Sequence, residues 1–425
     1  MPPLLTRRQL LKLGASLPLV TVSPWPARAK STARIVVIGG GFGGATCAKY
    51  LRRADAALQV TLVTPDRRFV TCPFSNTVLA HRQELASLTH TYERLQTRYG
   101  IQVMYTSATG FDPVKRIVTL SDGKPLSYDH LVLSPGIELQ WNALEGYDAA
   151  ASAVFPHAWE AGEQTLLLRR QLEAMPDGGL VVITAPDNPF RCPPGPYERA
   201  SLIAHYLKTY KPRSKVLLLD AKDTFTKQDL FLAAWKRLYP GILEWVSGSR
   251  GGRVVRVDPQ AGMVHTEFDD YKPAVANVIP PQRAAAIARV ANLDEGRGWC
   301  TIRASTFSSE RYSDIHVIGD AAIANPMPKS AFGASNQAKV CAAAIVARVR
   351  GEPTPAPVLM NTCYSLVAPD YGISIVAVYQ VENDTIETIT GSAGVSPLDA
   401  PDEIRALEAE YARSWYANIT ADAFS

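Results

Sequence analysis

The sequence predicts an α/β protein, two three-layer halves each built on a parallel sheet between helices, followed by a small α+β domain at the C-terminus. Three observations carry this. Buried-strand runs at 34–38 and 179–184 are each followed by a turn and a helical stretch, the strand–turn–helix order of a crossover unit. Two more apolar runs, 128–136 and 315–321, carry a glycine at or near their C-terminal ends and can add strands to the first sheet. After the Pro/Gly-rich stretch 351–357, a linker by composition, the pattern changes. Residues 373–381 and 386–390 read as a strand pair turning at Asn383-Asp384, and a last helix begins near Asp402 with Ile404, Leu407, Tyr411 and Trp415 on one face. That stripe is expected to pack onto the sheet rather than to meet a partner or a quinone. The expected boundaries are 30–146 with 270–352 for a split first half, 147–269 for the half inserted into it, and 353–425 for the C-terminal domain.

Residues 1–29 read as an address rather than as structure. Arg7-Arg8, the weakly apolar run to Val22 and Ala27-Arg28-Ala29 follow the order of a cleavable twin-arginine leader. That route carries proteins that folded and took up a cofactor before export, so a periplasmic redox protein is expected. The chain has 44 Lys+Arg against 40 Asp+Glu. Arg7, Arg8, Lys12 and Arg28 lie in the leader, which has no acid, so the mature chain balances at 44 − 4 = 40 against 40. No nucleic-acid or anionic-membrane partner is implied. No apolar run after the leader approaches the roughly 18 residues of a spanning helix, so a protein not embedded in the membrane is expected.

The chain has 6 cysteines, Cys47, Cys72, Cys192, Cys300, Cys341 and Cys363, and their pairing does not follow from spacing. There is no C-x-x-C, and no cysteine has a histidine three residues on. No metal site and no attached c-type haem are therefore expected on this chain. Cys47, Cys300 and Cys341 read as small packing residues.

The first strand runs into Gly39-Gly40-Gly41-Phe42-Gly43-Gly44, which makes the first half a Rossmann-like dinucleotide site. Gly39 permits the tight turn, Gly41 lets a pyrophosphate come against bare backbone at a helix N-terminus, and Gly44 lets the helix pack on the strand. The second strand should end in a ribose-binding acid, but Thr64 stands there and Asp66 is the nearest. The stretch YDHLVLSPG, ending in Gly136, resembles the segment that returns to the nucleotide in two-dinucleotide flavoproteins. Thr306 with IHVIGDA, containing Gly319 and Asp320, resembles their second FAD signature. The resemblance implies that Asp320 holds the ribityl chain, and that the following helix points its N-terminus at the flavin ring where negative charge develops.

A flavin reductase that uses NAD(P)H would carry a second glycine turn after the strand at 179–184. Here the turn is APDNPFRCPPGPYE, residues 185–198. Its five prolines lack N–H groups and fix φ, so few backbone donors remain to cradle a pyrophosphate. Electrons then have to come from a substrate that reaches the flavin directly. Cys192, at the C-terminal end of the strand, is the first candidate for that chemistry.

RCPPGPYERAS (191–201), IPPQRA (279–284), HVIGDA with ANPMPKS (316–330), NTCYS with APDYGIS (361–374) and SWYANI (414–419) resemble the flavoprotein subunit of flavocytochrome c sulfide dehydrogenase. The resemblance covers essentially the whole chain after the leader. It implies a periplasmic oxidation of hydrosulfide to sulfur or polysulfide through FAD, with electrons passed to a c-type cytochrome subunit in a heterodimer. It also implies that Cys192 and Cys363 form a redox disulfide beside the flavin, and that Cys72 binds the FAD covalently, although Pro73-Phe74 departs from the family's usual attachment segment. Two alternatives stand beside it: a sulfide:quinone oxidoreductase, which shares the fold, and a non-catalytic flavoprotein accessory of a sulfur-oxidation system.

Overall fold

A computed structural model describes residues 32–425; the expected leader, 1–29, lies outside the described residues. The first sheet has five strands in the order Ile315–Val317, His130–Leu133, Arg34–Ile38, Gln59–Thr64 and Gln102–Tyr105, all parallel. Its central strand is β-branched and almost wholly buried, as a strand covered on both faces must be. Helix Phe42–Ala54 follows directly and lies against helix Ala331–Arg350. Small residues let these two approach, and Thr46 and Ser335 share a hydrogen bond of 3.2 Å between their buried hydroxyls. Cys47 and Cys341 are fully buried at the same contact, and Cys300 is buried elsewhere, so all three are packing residues as expected.

The second sheet is also parallel, in the order Leu243–Val246, Lys215–Asp220, Leu180–Ala185 and Val275–Val278. Helix Gly195–Tyr210 follows Leu180–Ala185 through the proline loop and buries Leu202, Ile203 and Leu207. Val275–Val278 closes this sheet, so the second sheet extends past residue 269 into the stretch expected for the first half.

The C-terminal region is a long antiparallel hairpin, Val358–Ala368 with Tyr371–Glu382, extended by Thr385–Thr388. Asn383 and Asp384 make the second turn with φ of 49° and 58°, the left-handed region that these short polar residues tolerate in a two-residue hairpin. Helix Asp402–Phe424 packs on this sheet with a face other than the expected one. Ile404, Leu407 and Tyr411 are 40%, 42% and 49% exposed. The buried face includes Arg405, Glu408, Ala409, Ala412, Tyr416 and Ile419. Apolar spacing mispointed the helix because an ion pair occupies its core side: Arg405 Nη1 meets Glu408 Oε2 at 3.2 Å, and Glu408 also accepts from the Ser374 hydroxyl at 2.9 Å. Only Trp415 of the expected stripe turns inward, against Tyr364 and Phe332. Among the described residues no helix is long and apolar enough to cross a membrane.

Candidate functional site

The ends of the first sheet, the proline loop and the C-terminal hairpin enclose a cavity of about 1000 Å³. At one end lies the glycine turn. Gly39 has φ of 102°, and a Cβ there would meet the Ser134 carbonyl oxygen at 2.1 Å. A Cβ on Gly44 would fall 1.8 Å from the Gly39 carbonyl oxygen, so this glycine is what allows helix Phe42–Ala54 to begin where it does. Gly41 lies at the N-terminus of that helix and lines the cavity, where a Cβ would rest 3.5 Å from the Phe69 ring. Thr64 and Asp66 line the same end, as do Gly136 and Gly319, which have φ of 72° and 73°.

Asp320 lines the cavity further in. Burial pushes its carboxyl pKa up, and the positive charges of Arg191 and Lys329 pull it back. Lys329 is held by the carbonyls of Asp320 and Ala322 at 2.8 and 2.7 Å, and burial lowers its ammonium to about 8. Ser330 caps helix Ala331–Arg350 by accepting from the Gly333 N–H at 2.9 Å, and Ser330, Ala331 and Ala334 bring this N-terminus to the cavity wall. Thr306 is not among the cavity's lining residues; its hydroxyl pairs with Ser308 at 2.9 Å, and its carbonyl faces His316.

The opposite end holds three cysteines. Cys72 is half-buried, with its sulfur 3.5 Å from the Trp159 carbonyl oxygen. Pro73-Phe74 form the centre of a tight turn in which the Ser75 N–H donates to the Cys72 carbonyl at 3.0 Å, and Phe74 takes φ of 67°. Cys192 has φ of 57°; its N–H donates to the Lys329 carbonyl and its own carbonyl accepts from the Gly195 N–H, both at 2.8 Å. A Cβ on Gly195 would come within 3.1 Å of the Cys192 sulfur and 2.7 Å of the Trp159 ring, so glycine is required where the helix starts against the thiol. Cys363 comes from the hairpin strand, where it pairs with Ile375. All six cysteines are free in the structure, and Cys192 and Cys363 line the same cavity.

Both of these thiols are pushed up by burial. Cys192 is raised further by Cys363 and Glu198 and lowered by Arg191, whereas Cys363 is pulled down by the ammonium of Lys227 and pushed up, to a smaller extent, by Glu198. Lys227 is buried with φ of 63°; its Nζ donates to the Ser365 hydroxyl at 2.8 Å and to the Cys363 carbonyl at 3.2 Å.

The residues fit a flavin dinucleotide. The bare glycine backbone at a helix N-terminus suits a pyrophosphate, the acid after the second strand suits a ribose, and a second helix N-terminus suits a ring that gains negative charge. The volume lies at the upper end for a ligand cavity.

Three family models match the chain. Pyridine nucleotide-disulphide oxidoreductase covers residues 33–164, the central region of the sulfide dehydrogenase [flavocytochrome c] flavoprotein chain covers 165–280, and the flavin-binding region of flavocytochrome c sulphide dehydrogenase covers 355–424. The sulfide dehydrogenase [flavocytochrome c] flavoprotein chain of Chlorobaculum thiosulfatiphilum is 66% identical over 47 residues, which are 11% of this chain and 98% of that relative. The chain belongs to the flavocytochrome c sulfide dehydrogenase flavoprotein family. The mitochondrial sulfide:quinone oxidoreductase of Mus musculus is 25% identical over 309 residues, 69% of this chain and 66% of that protein. The X-ray structure of the sulfide:quinone oxidoreductase from Aquifex aeolicus has a TM-score of 0.73 at 18% identity and covers 92% of each chain, which shows the shared fold.

Within this flavocytochrome c flavoprotein fold, several polar residues at the cysteines were not singled out from the sequence. Glu198 and Arg199 lie on the helix that starts at Gly195, and their i+3 and i+4 spacing from it was the available signal. Glu198 accepts from the Leu366 N–H at 3.1 Å and from Asn76 at 3.3 Å; burial raises its carboxyl, while those donors and Lys227 lower it. Arg199 is 3% exposed and donates to Asn76, Asn277 and the carbonyls of His157 and Ala158; burial lowers it to about 10. Lys227 carried no local signal, because only the fold brings it to Cys363.

Proposed function

We propose that this chain is an exported FAD protein that oxidises hydrosulfide at a Cys192–Cys363 disulfide and passes the electrons to a c-type cytochrome subunit in a heterodimer, in the periplasm. One observation carries the reading: a cysteine from the proline loop and a cysteine from the C-terminal hairpin line one cavity with the glycine turn and Asp320. The names of the family models and of the Chlorobaculum relative support the substrate and the partner.

Gly39, Gly41 and Gly136 would border the dinucleotide, Asp66 the ribose, and Gly319 with Asp320 the ribityl chain. Cys72, at the cavity wall, would form the thioether to the flavin. A bound flavin supplies a two-electron acceptor that can release electrons singly, as a haem partner requires.

The chain's own residues begin the reaction by thiol exchange. HS⁻ attacks one sulfur of the disulfide; the Cys–Cys bond breaks, a persulfide bond forms, and the other cysteine leaves as a thiolate, with charge and atoms conserved. Attack at Cys192 is favoured, because Cys363 beside Lys227 is the better leaving thiolate. Arg199, Asn76 and Glu198 hold the start of the helix beneath Cys192 in place.

The test is a preparation from the periplasm of the native host. Its mass should show loss of residues 1–29 and gain of a covalent FAD, and sulfide should drive reduction of added cytochrome c. A second reading, with quinone as acceptor, is favoured by the exposed row Ile404, Leu407 and Tyr411, and by the sulfide:quinone oxidoreductase relatives. Quinone reduction faster than cytochrome c reduction, together with sedimentation on washed membranes, would select it.

A further inference from the structure

A second, smaller cavity of about 190 Å³ adjoins the first. The two share Cys192, Ser330 and Cys363 and no other lining residue, so these three form the partition between them. The remaining walls of the small cavity come from residues that do not line the flavin cavity: the prolines of the 193–194 and 326–328 turns, Thr226, and the hairpin strand around Val376. Val376 is 39% exposed and marks the outer rim, whereas Tyr379 and Asn361 are buried at its floor.

We propose that this cavity is the chamber through which hydrosulfide reaches the disulfide and in which the outer sulfur of the persulfide is held. The inference rests on the proposed sulfide chemistry and adds the route and the recognition. A flavin would fill the large cavity and close the cysteines from that side, which leaves the small chamber as their other face. Its volume is roughly six times the 30 Å³ share of a water molecule, enough for HS⁻ and a short sulfur tail and too little for a peptide-sized thiol. No charged side chain lines it among the described residues. A dianion such as sulfite or thiosulfate would lose its hydration there without gaining a counter-charge, whereas HS⁻, or neutral H₂S, loses less. Thr226, Tyr379 and Asn361 give the lining side chains that can donate to the anion. Ser330 Oγ and Asn361 Oδ1 share a hydrogen bond of 2.6 Å, which fixes the amide, and Asn361 Nδ2 has no hydrogen-bond partner among the described residues. The chamber therefore selects for a small, singly charged or neutral sulfur species.

The test uses the holoenzyme and two substitutions that leave both cysteines in place, Val376→Trp at the rim and Ala377→Leu in the wall. Protein reduced with a phosphine is labelled with methyl methanethiosulfonate, and modification of Cys192 and Cys363 is followed by peptide mass. Bleaching of the flavin band by sulfide and by dithionite is followed in parallel. Val376→Trp is expected to slow labelling and sulfide bleaching together by about tenfold, with dithionite bleaching and the visible spectrum unchanged. Labelling and sulfide bleaching at unaltered rates in both variants would overturn the chamber. Labelling that remains gated by Val376 in a protein that sulfide never bleaches would contradict the proposed activity while upholding the route.

Discussion

Lys227→Gln isolates the electrostatic contribution to the cysteine chemistry. The amide keeps a donor for Ser365 and the Cys363 carbonyl, now reached at 2.8 and 3.2 Å, and removes one buried positive charge. Unit charges separated by about 5 Å in an effective dielectric of about 20 interact by about 3 kcal/mol. Roughly half of the leaving thiolate's charge is developed at the transition state of thiol exchange, so about 1.5 kcal/mol of barrier, a factor of about ten, is at stake. The assay is anaerobic stopped-flow bleaching of the flavin band by sulfide between neutral and alkaline pH. Burial lowers the Lys227 ammonium below its usual value, so the native protein itself loses this charge as pH rises. The gap between native and variant should be widest near neutrality and narrow at alkaline pH, and Lys227→Arg should restore most of the rate. A deficit of equal size at every pH would mean that Lys227 acts through structure alone, and the assignment of Cys363 as the leaving thiolate would fail.

Gly44→Ala forces a Cβ against the Gly39 carbonyl, where the gap is 1.8 Å, and backbone must move to relieve it. A loss of about 2–4 kcal/mol is expected together with a fall in the flavin-to-protein ratio, read by thermal unfolding and absorbance. Cys72→Ala should keep its flavin while folded and release it on denaturation, whereas the unsubstituted protein should retain it when denatured; equal release from both would refute the thioether. His130 and His316 are neutral and buried, held near about 4 and about 3 by desolvation. Because the unfolded chain protonates them near 6.5, stability should fall as pH drops below that value, by about 1.4 kcal/mol per pH unit for each group, and His316→Asn should flatten the slope. Leu407→Lys on the exposed row should leave sulfide bleaching intact and slow only the final acceptor, as measured with cytochrome c and with a soluble quinone in turn.

The sheets and the dinucleotide end of the site were legible because local rules dictate them. Gly39, Gly41 and Gly44 follow a buried strand and precede a helix, and the structure uses Gly39 and Gly44 at close backbone approaches where a side chain would clash. The proline loop announced itself by what it cannot do, which is to offer a run of N–H groups. The outward turn of the last helix was not legible, since the spacing of Ile404, Leu407 and Tyr411 states only that one face is apolar, and the competing face is secured by the buried Arg405–Glu408 pair. Lys227 was hidden for another reason: it is 136 residues from Cys363 in sequence, and their meeting depends on how the hairpin docks against helix Gly195–Tyr210 and its neighbours. The place of Thr306 was not legible either, because a signature fixes the order of residues and not the direction of a hydroxyl, which here meets Ser308.

The most direct test compares two reductants on one anaerobic sample. Sulfide should bleach the flavin of the native protein rapidly and that of the Cys192→Ser protein slowly or not at all, while NADH should leave both oxidised because a proline-stiffened turn stands where a nicotinamide dinucleotide would bind. Rapid bleaching by NADH with no response to sulfide, or undiminished sulfide bleaching without Cys192, would contradict the assignment of the cysteine pair as the port through which electrons enter.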